Sequence, residues 1–213
     1  MNNTPHTNCL TLRLLHAAKG YKAVAFDIFD TLLKRDCARP ADLFALMEVT
    51  HQAVLGFAEA RVAAEAETRQ TLGREVTLAE IYAHPALRGT DPTAECAAEL
   101  AMIAPNRPVA QAAAACHARG QKVYAVSDMY LPKEQIEAML QKCGLDFLDG
   151  VFVSCEYRVQ KRSGKLFKLF LQQTALRPAE VLFVGDSPRA DFAGAALAGI
   201  RCFLLPQPTP LPY

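Results

Sequence analysis

The chain has 213 residues, of which 51% are hydrophobic and 21% are charged, and its formal net charge is +1. This composition is typical of a globular domain and excludes disorder of the whole chain. The charge is close to zero and no long basic run is present, so the sequence predicts no nucleic acid and no anionic membrane surface as a partner.

The seven cysteines have no CxxC spacing, and several lie within apolar runs. We interpret them as reduced thiols that act as small hydrophobic side chains, and not as a disulfide framework or a zinc site. Residues 1–9 lack the basic start and apolar core of a signal peptide, and no apolar stretch approaches the length of a membrane span. These features predict a cytoplasmic protein with no membrane insertion.

Five short apolar runs are predicted to be buried strands. Each is rich in β-branched or aromatic residues and is bounded by Gly, Pro, Asp or Ser, as is usual for parallel strands buried on both faces. The runs cover residues 23–26, 122–126, 151–154, 181–184 and 201–204. The stretches of helical periodicity that separate the last four runs cover residues 132–143, 166–174 and 188–198. Strands that alternate with helices predict an α/β fold with a doubly wound parallel sheet.

The chain between the first and second strands has a different pattern. Residues 34–107 contain no convincing strand and are rich in Ala, Glu, Leu and Arg. The helices predicted there cover residues 40–55, 57–72, 77–83 and 93–103. Thr77 and Glu80 fit a capping box at one helix start. A helical insert of this size predicts a cap over the sheet. The expected organisation is an α/β core (20–34 and 108–205), a helical cap (35–107) and a proline-rich tail (206–213).

Three polar residues come at or just after the carboxyl ends of predicted strands. Asp27 follows the first strand, Ser127 follows the second, and Asp186 follows the fourth after one glycine. Ligands of open parallel sheets bind at this edge, although each residue taken singly could simply end a strand and cap the next helix. Two carboxylates that converge from distant strands repel each other unless a cation bridges them. The pair therefore predicts a Mg²⁺ site.

Four segments resemble, in the right order, the signatures of the haloacid dehalogenase (HAD) superfamily. The first signature, hhhhDxDxTL, is similar to AFDIFDTL at residues 25–32, and Ser127 fits the Ser or Thr of the second. Lys161, shortly before a predicted helix, fits the third, and GDSPRAD at residues 185–191 fits the fourth, GDxxxxD. The resemblance spans residues 23–199 and implies a HAD-type Rossmannoid core with a helical cap after the first strand.

The resemblance also implies a nucleophile and a set of metal ligands. Asp27 would attack phosphorus and form an aspartyl-phosphate, which divides hydrolysis into two easier steps. Mg²⁺ would be held by the carboxylates of Asp27 and Asp186, by the main-chain carbonyl of Phe29, and through waters positioned by Asp191. The ion would neutralise both the nucleophile and the phosphoryl oxygens of a small phosphorylated substrate.

Two further side chains would bind the phosphoryl group itself. Ser127 would donate a hydrogen bond to a phosphoryl oxygen, and Lys161 would supply a positive charge to the same group and to Asp27. Lys165 is the nearest alternative to Lys161, but the spacing after Ser154 favours Lys161.

One position departs from the phosphatases that the sequence resembles. These enzymes carry a second Asp two residues after the nucleophile as general acid and base, and here that residue is Phe29. Proton transfer to a leaving oxygen is worth ~10²–10⁴-fold in rate. Asp30 would substitute if the backbone turned it inward, and otherwise it only caps the loop. Asp128, a candidate for substrate contact, is a second possible proton donor, and a good leaving group would relax the need for either.

The sequence thus favours a magnesium-dependent phosphatase with an aspartyl-phosphate intermediate. An aromatic residue at position 29 also resembles true haloacid dehalogenases, in which carbon is attacked and halide leaves. A third interpretation is a weakly active HAD domain that serves as a binding module. The phrases FDIFDTLL and SDMYLP resemble a branch of hydrolases of which some are joined to glycosyltransferases, so an association with polysaccharide pathways is a further hypothesis.

Three arginines of the insert are candidate contacts for a second anionic group of the substrate. Arg61, Arg69 and Arg74 lie in or beside the predicted helix of residues 57–72. Glu65 and Arg69 have the i,i+4 spacing of a helical ion pair. We therefore interpret the three arginines as members of solvated ion pairs.

Overall fold

A computed structural model describes residues 9–37, 39–50 and 53–206. Along these residues the strands are β1 (Ala23–Phe26), β2 (Leu33–Arg35), β3 (Ile103–Pro105), β4 (Lys122–Ser127), β5 (Gly150–Val153), β6 (Val181–Gly185) and β7 (Arg201–Leu204). The helices are α1 (Cys9–Ala17), α2 (Asp42–Val49), α3 (Phe57–Leu72), α4 (Leu78–Tyr82), α5 (Pro92–Met102), α6 (Arg107–Ala118), α7 (Lys133–Lys142), α8 (Ser154–Tyr157), α9 (Lys165–Thr174) and α10 (Gly194–Leu197). Apart from Pro206, the predicted proline-rich tail lies outside the described residues, as do residues 1–8.

The central sheet has five strands in the order β5-β4-β1-β6-β7, and all neighbouring pairs are parallel. The predicted parallel α/β sheet is therefore confirmed. Two of its strands, β1 and β7, have the predicted bounds, and the other three differ by one residue at one end or both. The first strand lies at the centre of the sheet, so the residue that follows it has a neighbouring strand on either side.

Alternate residues of β1 supply two separate hydrophobic cores, because successive side chains of a strand point to opposite faces. Val24 and Phe26 belong to the core under α1, α6 and α7, whereas Ala23 and Ala25 belong to the core under α9 and α10. Burial on both faces explains why the strands are continuous apolar runs without alternation of polar residues.

Helices α2 to α5 form the insert between β2 and β3, and the capping box is present. The hydroxyl of Thr77 accepts a hydrogen bond from the amide of Glu80, and the carboxylate of Glu80 accepts one from the amide of Thr77. The predicted helix of residues 57–72 agrees with α3. The helix predicted for residues 40–55 is wrong at its end, because α2 stops at Val49.

The absence of strands predicted for residues 34–107 is wrong. Strands β2 and β3 form an antiparallel ribbon at the two ends of the insert, with Leu33 opposite Pro105 and Arg35 opposite Ile103. Each strand has only three residues, so neither shows a period-2 pattern, and Ile103 extends a helical pattern in the sequence. The ribbon holds the start and the end of the insert together beside the end of β1.

Two further helical features differ from expectation. Helix α1 precedes the sheet and packs on α6, where the Thr11 hydroxyl donates to the Pro108 carbonyl at 2.9 Å. The helix expected over residues 188–198 begins as a π-helical turn, Pro188–Ala193, in which the amides of Asp191 and Phe192 both donate to the Ser187 carbonyl. Turns of this kind occur often at functional sites. None of the helices in the described ranges has both the length and the apolar character needed to cross a bilayer.

Candidate active site

The carboxyl ends of the three central strands bring three polar residues to one edge of the sheet. Phe26, the last residue of β1, lies opposite Ala125 of β4 and Val184 of β6. Asp27 follows Phe26 directly, and its amide continues the ladder by donating to the Val184 carbonyl at 2.8 Å. Ser127 ends β4, and Asp186 follows β6, so both lie at the edge that holds Asp27.

Three carboxylates converge at this edge. Asp27, Asp186 and Asp191 each place one carboxylate oxygen within 4.8 Å of the others. Asp27 and Asp191 are buried, and Asp186 is half-buried. One hydrogen bond reaches the group from a neighbouring loop, where the Thr31 hydroxyl donates to Oδ1 of Asp186 at 3.3 Å. Carboxylates this close are stable together only when positive charge or protons compensate them.

The environment of Asp191 shows that the group suits a divalent cation. Its Oδ2 accepts hydrogen bonds from the amides of Asp186 at 3.0 Å and Ser187 at 2.9 Å. Its Oδ1 is buried and has an ion pair but no hydrogen bond within the described residues. Mg²⁺ is usually held by one or two carboxylates together with waters and phosphate oxygens, so the residues fit such an ion.

Two glycines make the close packing around Asp191 and Lys161 possible. A Cβ atom at Gly185 would lie 2.4 Å from Oδ2 of Asp191, and one at Gly194 would lie 2.2 Å from the Lys161 carbonyl oxygen. The sequence alone does not give this reason for the glycines, because it depends on which segments approach each other in space.

Lys161 is buried between two of the carboxylates. Its Nζ lies 2.5 Å from Oδ1 of Asp27 and 2.6 Å from Oδ1 of Asp191. Burial alone would lower the pKa of Lys161, but the carboxylates of Asp27, Asp191 and Asp128 raise it above the usual value, so the ammonium stays charged. Lys165, the alternative weighed from the sequence, begins α9 and is exposed.

Burial has the opposite consequence for the carboxyl group of Asp27. Burial, together with the charges of Asp191 and Asp186, raises the pKa of Asp27 to about 7, against the lowering effect of Lys161. In the absence of a cation the cluster therefore makes Asp27 easier to protonate than a carboxyl group in water.

The candidate residues at the ends of β1 and β4 differ in their burial. Ser127 is 1% exposed, and the neighbouring Asp128 is half-buried, with Oδ1 accepting a hydrogen bond from the Lys161 amide at 2.8 Å. Burial raises the pKa of Asp128 above its usual value. Asp30 is exposed and has the left-handed backbone conformation, with φ of 60°.

Two supporting residues near the site had no role assigned from the sequence. Ser154 is fully buried, and its hydroxyl accepts a hydrogen bond from the Met129 amide at 2.9 Å, which holds the loop after β4. Thr31, which is part of the first signature, is also fully buried and donates to Asp186 as described above. The only signal in the sequence is that Ser154 is a small polar residue in an apolar run and that Thr31 belongs to the first signature.

The family of the chain follows from a comparison with protein-family models. The model described as haloacid dehalogenase-like hydrolase matches residues 21–199. The chain belongs to this family. It is accordingly a hydrolase with the HAD fold, as the resemblance of its motifs implied. None of the curated protein sequences compared with the chain matches it.

Solved structures of HAD enzymes share the fold at low sequence identity. An L-2-haloacid dehalogenase from Xanthobacter autotrophicus is 23% identical, with a TM-score of 0.59 and coverage of 85% of this chain and 76% of the other. A HAD phosphatase from Thermococcus onnurineus is 20% identical, with a TM-score of 0.61 and coverage of 87% and 86%. A HAD family enzyme from Bacteroides thetaiotaomicron, in complex with magnesium and inorganic phosphate, is 16% identical, with a TM-score of 0.61 and coverage of 87% and 94%.

A cavity of about 550 Å³ in this HAD hydrolase lies between the insert and the loops that follow the cluster and phosphate-binding candidates Asp27 and Ser127 in the sequence. The loops after β1 and β4 form one wall, with Phe29, Asp30 and Asp128 among its residues. Helices α2 and α3 form the other wall, which includes Phe44 and Arg69. The ring of Phe29 faces the Arg35 guanidinium, which lies 4.0 Å from the ring centroid.

The interpretation of the insert arginines as solvated is wrong for Arg61. This side chain has no exposed surface, and its guanidinium forms a bidentate pair with the equally buried Glu95, with bonds of 2.6 and 2.8 Å. The rings of Phe44 and Tyr130 cover the same guanidinium, at 4.8 and 4.7 Å from their centroids. The partner lies on α5, 34 residues away, which helical spacing cannot indicate.

The other two arginines are paired within the insert. Arg69 contacts Glu65 at 3.0 Å, as the i,i+4 spacing predicted, and it also pairs with the buried Glu75. Arg74 pairs with Glu80 at 2.7 Å.

Proposed function

We propose that the protein is a magnesium-dependent phosphatase that acts on a small phosphorylated metabolite through an aspartyl-phosphate on Asp27. The observation that carries this proposal is the convergence of three carboxylates within 4.8 Å of one another beside a buried lysine. Three negative charges and one ammonium leave a site with excess negative charge. Such a site suits a cation and then a phosphoryl group, which a cation attracts.

The residues of the cluster would divide the metal-binding and phosphate-binding work. Asp27 and Asp186 would hold Mg²⁺ directly, together with the main-chain carbonyl of Phe29, and Asp191 would hold it through waters. The ion, when bound, supplies positive charge that neutralises the carboxylates and the phosphoryl oxygens. Lys161 keeps Asp27 oriented through its 2.5 Å contact, so that the carboxylate can attack phosphorus. Ser127 and Lys161 would bind the oxygens of the transferred group.

The cavity favours a substrate with a single phosphate group. The two arginines in its wall are already paired, Arg35 with Glu99 at 2.8 Å and Arg69 with Glu65 and Glu75. A second anionic group on the substrate would have to compete with these carboxylates for the guanidinium groups. The aromatic rings of Phe29, Phe44 and Tyr130 offer contact to an uncharged remainder instead.

A haloacid dehalogenase is the second candidate. Phe29 stands where the phosphatases that the sequence resembles carry an Asp, and the structures that share the fold include dehalogenases. Attack on carbon with halide as the leaving group needs neither a general acid nor a metal. The carboxylate cluster weighs against this reaction, because three acids at one point suit a cation.

The decisive experiment is a phosphatase screen of the purified protein over sugar phosphates, nucleotides and acyl phosphates, with Mg²⁺ or with EDTA. We expect phosphate release that requires Mg²⁺ and is lost in Asp27→Asn but kept in Asp36→Asn, a matched change at an exposed carboxyl outside the cluster. Equal phosphate release by Asp27→Asn would reject the proposal. Halide release from a 2-haloacid in EDTA would establish the dehalogenase instead.

Two wider expectations remain proposals. Tight binding of a phosphate analogue such as beryllofluoride, with negligible turnover across the whole panel, would favour the binding-module interpretation. An association with glycosyltransferases or polysaccharide pathways, and the cytoplasmic location, rest on the sequence alone. Copurification of the natural full-length protein with a glycosyltransferase would test the association.

A further inference from the structure

The proposed phosphatase needs a proton donor for the leaving oxygen, and Phe29 cannot serve. Three carboxyl side chains line the cavity that would receive the leaving group, those of Asp30, Glu65 and Asp128. The position of each relative to its neighbours decides which one can exchange a proton with a substrate.

Two of the three carboxyls are poorly placed for this task. Glu65 is engaged by two arginines, with Oε2 at 3.2 Å from Arg61 and Oε1 at 3.0 Å from Arg69, so both oxygens are occupied by positive charge. Asp30 is exposed at the mouth of the cavity, in a left-handed turn that follows Phe29. Bulk water competes with a substrate for any proton that Asp30 carries.

Asp128 has one oxygen occupied and one available. Its Oδ1 accepts the hydrogen bond from the Lys161 amide at 2.8 Å, whereas no hydrogen bond to its Oδ2 is found within the described residues. The side chain is half-buried and lines the cavity, so Asp128 combines an unoccupied carboxyl oxygen with a place in the cavity wall.

Asp128 is also tied to the residues that would hold the phosphoryl group. It follows Ser127 directly at the end of β4, and it binds the main chain of Lys161, whose Nζ contacts Asp27 at 2.5 Å. Its carboxyl group is therefore positioned by the same two segments that would position the substrate.

We propose that Asp128 is the general acid and base of the hydrolase, in place of the Asp that Phe29 replaces. This inference rests on the proposed phosphatase function. In the first step the Asp27 carboxylate forms a bond to phosphorus, the bond from phosphorus to the leaving oxygen breaks, and Asp128 gives its proton to that oxygen. In the second step water attacks phosphorus, Asp128 takes a proton from the water, the bond to Asp27 breaks, and inorganic phosphate leaves.

Burial supports this assignment, because it raises the pKa of Asp128 and so increases the protonated fraction that the first step requires.

The test is Asp128→Asn, because an asparagine carbonyl oxygen can still accept the hydrogen bond from the Lys161 amide but cannot exchange a proton. Turnover of an alkyl phosphate, whose leaving group needs a proton, is compared with that of p-nitrophenyl phosphate, whose leaving group does not. We expect Asp128→Asn to lose ~10²–10⁴-fold on the alkyl phosphate. With p-nitrophenyl phosphate we expect a burst of about one nitrophenolate per enzyme before slow turnover, because hydrolysis of the aspartyl-phosphate also needs the base.

Partial misfolding of the variant would not imitate this result, since an inactive fraction lowers both first-step rates by the same factor. Asp128→Glu, which keeps a carboxyl group, should recover part of the alkyl phosphate activity, and Asp146→Asn, an exposed carboxyl, is the matched control. Asp128→Ala also removes the hydrogen bond to the Lys161 amide. If Asp128 only positioned the loop, Asp128→Ala would lose activity and Asp128→Asn would not.

Three results would overturn the inference. The first is that Asp128→Asn turns over both substrates at the wild-type rate. The second is that it loses the same factor on both substrates and shows no burst. The third is that Asp30→Asn, and not Asp128→Asn, shows a loss that depends on the leaving group. A wild-type protein that hydrolyses no phosphate ester would overturn the proposed function together with the inference, whereas the three results leave the phosphatase assignment intact.

Discussion

At the scale of single residues, Lys161 determines the electrostatic balance of the cluster. Its ammonium lies within 2.6 Å of carboxylate oxygens of both Asp27 and Asp191, and all three residues are buried. A buried charge that loses its partner is costly, because the low-dielectric interior does not solvate it. Without Lys161, the buried Asp191 would keep its two amide hydrogen bonds at Oδ2 but lose the ion pair at Oδ1.

We therefore expect Lys161→Met to lower the free energy of unfolding by ~3–5 kcal/mol in EDTA at neutral pH. Urea denaturation followed by circular dichroism measures this change. Lys165→Met, at the exposed start of α9, is the control and should change stability by no more than ~0.5 kcal/mol. Equal effects of the two substitutions would contradict the assignment of Lys161 as the counter-charge of the cluster.

Gly194 is the second residue-scale feature with a measurable consequence. Since a Cβ there would lie 2.2 Å from the Lys161 carbonyl, the main chain of Lys161 must move when Gly194 becomes Ala. We expect Gly194→Ala to cost ~1–3 kcal/mol of stability and to reduce turnover strongly, because the Lys161 contact with Asp27 is displaced. Thermal unfolding and the phosphatase assay measure the two effects.

Gly150→Ala is the matched control, because its added methyl group would lie 3.4 Å from a ring carbon of Tyr124, an ordinary contact far from the cluster. A Gly194→Ala protein with wild-type turnover would show that the position of the Lys161 main chain is unimportant.

At the scale of elements, the insert has a polar interior of its own. Arg61 on α3 and Glu95 on α5 are both fully buried, and Tyr82 at the end of α4 donates to Glu95 at 2.8 Å. The bidentate ion pair and the Tyr82 hydrogen bond together link three helices. Burial and the carboxylate of Glu95 raise the pKa of Tyr82, so its hydroxyl group stays neutral.

Breaking this pair should destabilise the insert more than breaking an exposed pair. We expect Arg61→Met to cost ~3–5 kcal/mol, because Glu95 is left buried without its counter-charge, and Arg61→Met with Glu95→Leu to recover much of that loss. Arg39→Met is the control, since its pair with Asp42 is exposed and screened by water. Urea denaturation measures all three, and a loss no larger than that of Arg39→Met would contradict the prediction.

At the scale of the whole molecule, the cluster joins segments that are far apart in the sequence. Asp27 follows β1, and Asp186 and Asp191 follow β6, so a bound cation would link the first and fourth segments of the family pattern. A ligand that binds only the folded state stabilises it by mass action, by ~2.7 kcal/mol at 100 times its Kd.

Saturating Mg²⁺ should therefore raise the melting temperature of the wild-type protein in differential scanning fluorimetry. The size of the shift is compared among variants, because Asp186→Asn itself relieves repulsion among the carboxylates. We expect Asp186→Asn to lose the shift and Asp146→Asn to keep it. A shift of the same size in Asp186→Asn, or none in the wild type, would contradict the assignment of the cluster as a Mg²⁺ site.

The parts of the structure that could be predicted are those carried by local patterns. The apolar runs of β1 and β7, the periodicity of α3 and the capping box of Thr77 and Glu80 each depend on neighbouring residues alone. The three-residue strands β2 and β3 escaped prediction because they are too short for a period, and their pairing joins residues about 70 positions apart.

The sequence by itself determined the parallel α/β fold, the family, and the residues expected at the carboxyl edge of the sheet, because buried strands and signature residues are written in short, contiguous stretches. Only the tertiary structure decided that Lys161 and not Lys165 contacts Asp27, that Arg61 is buried against Glu95, and that Asp128 lines the cavity while it binds the main chain of Lys161. The physical reason is that charge balance and burial depend on contacts between distant segments, and those contacts exist only once the chain is packed.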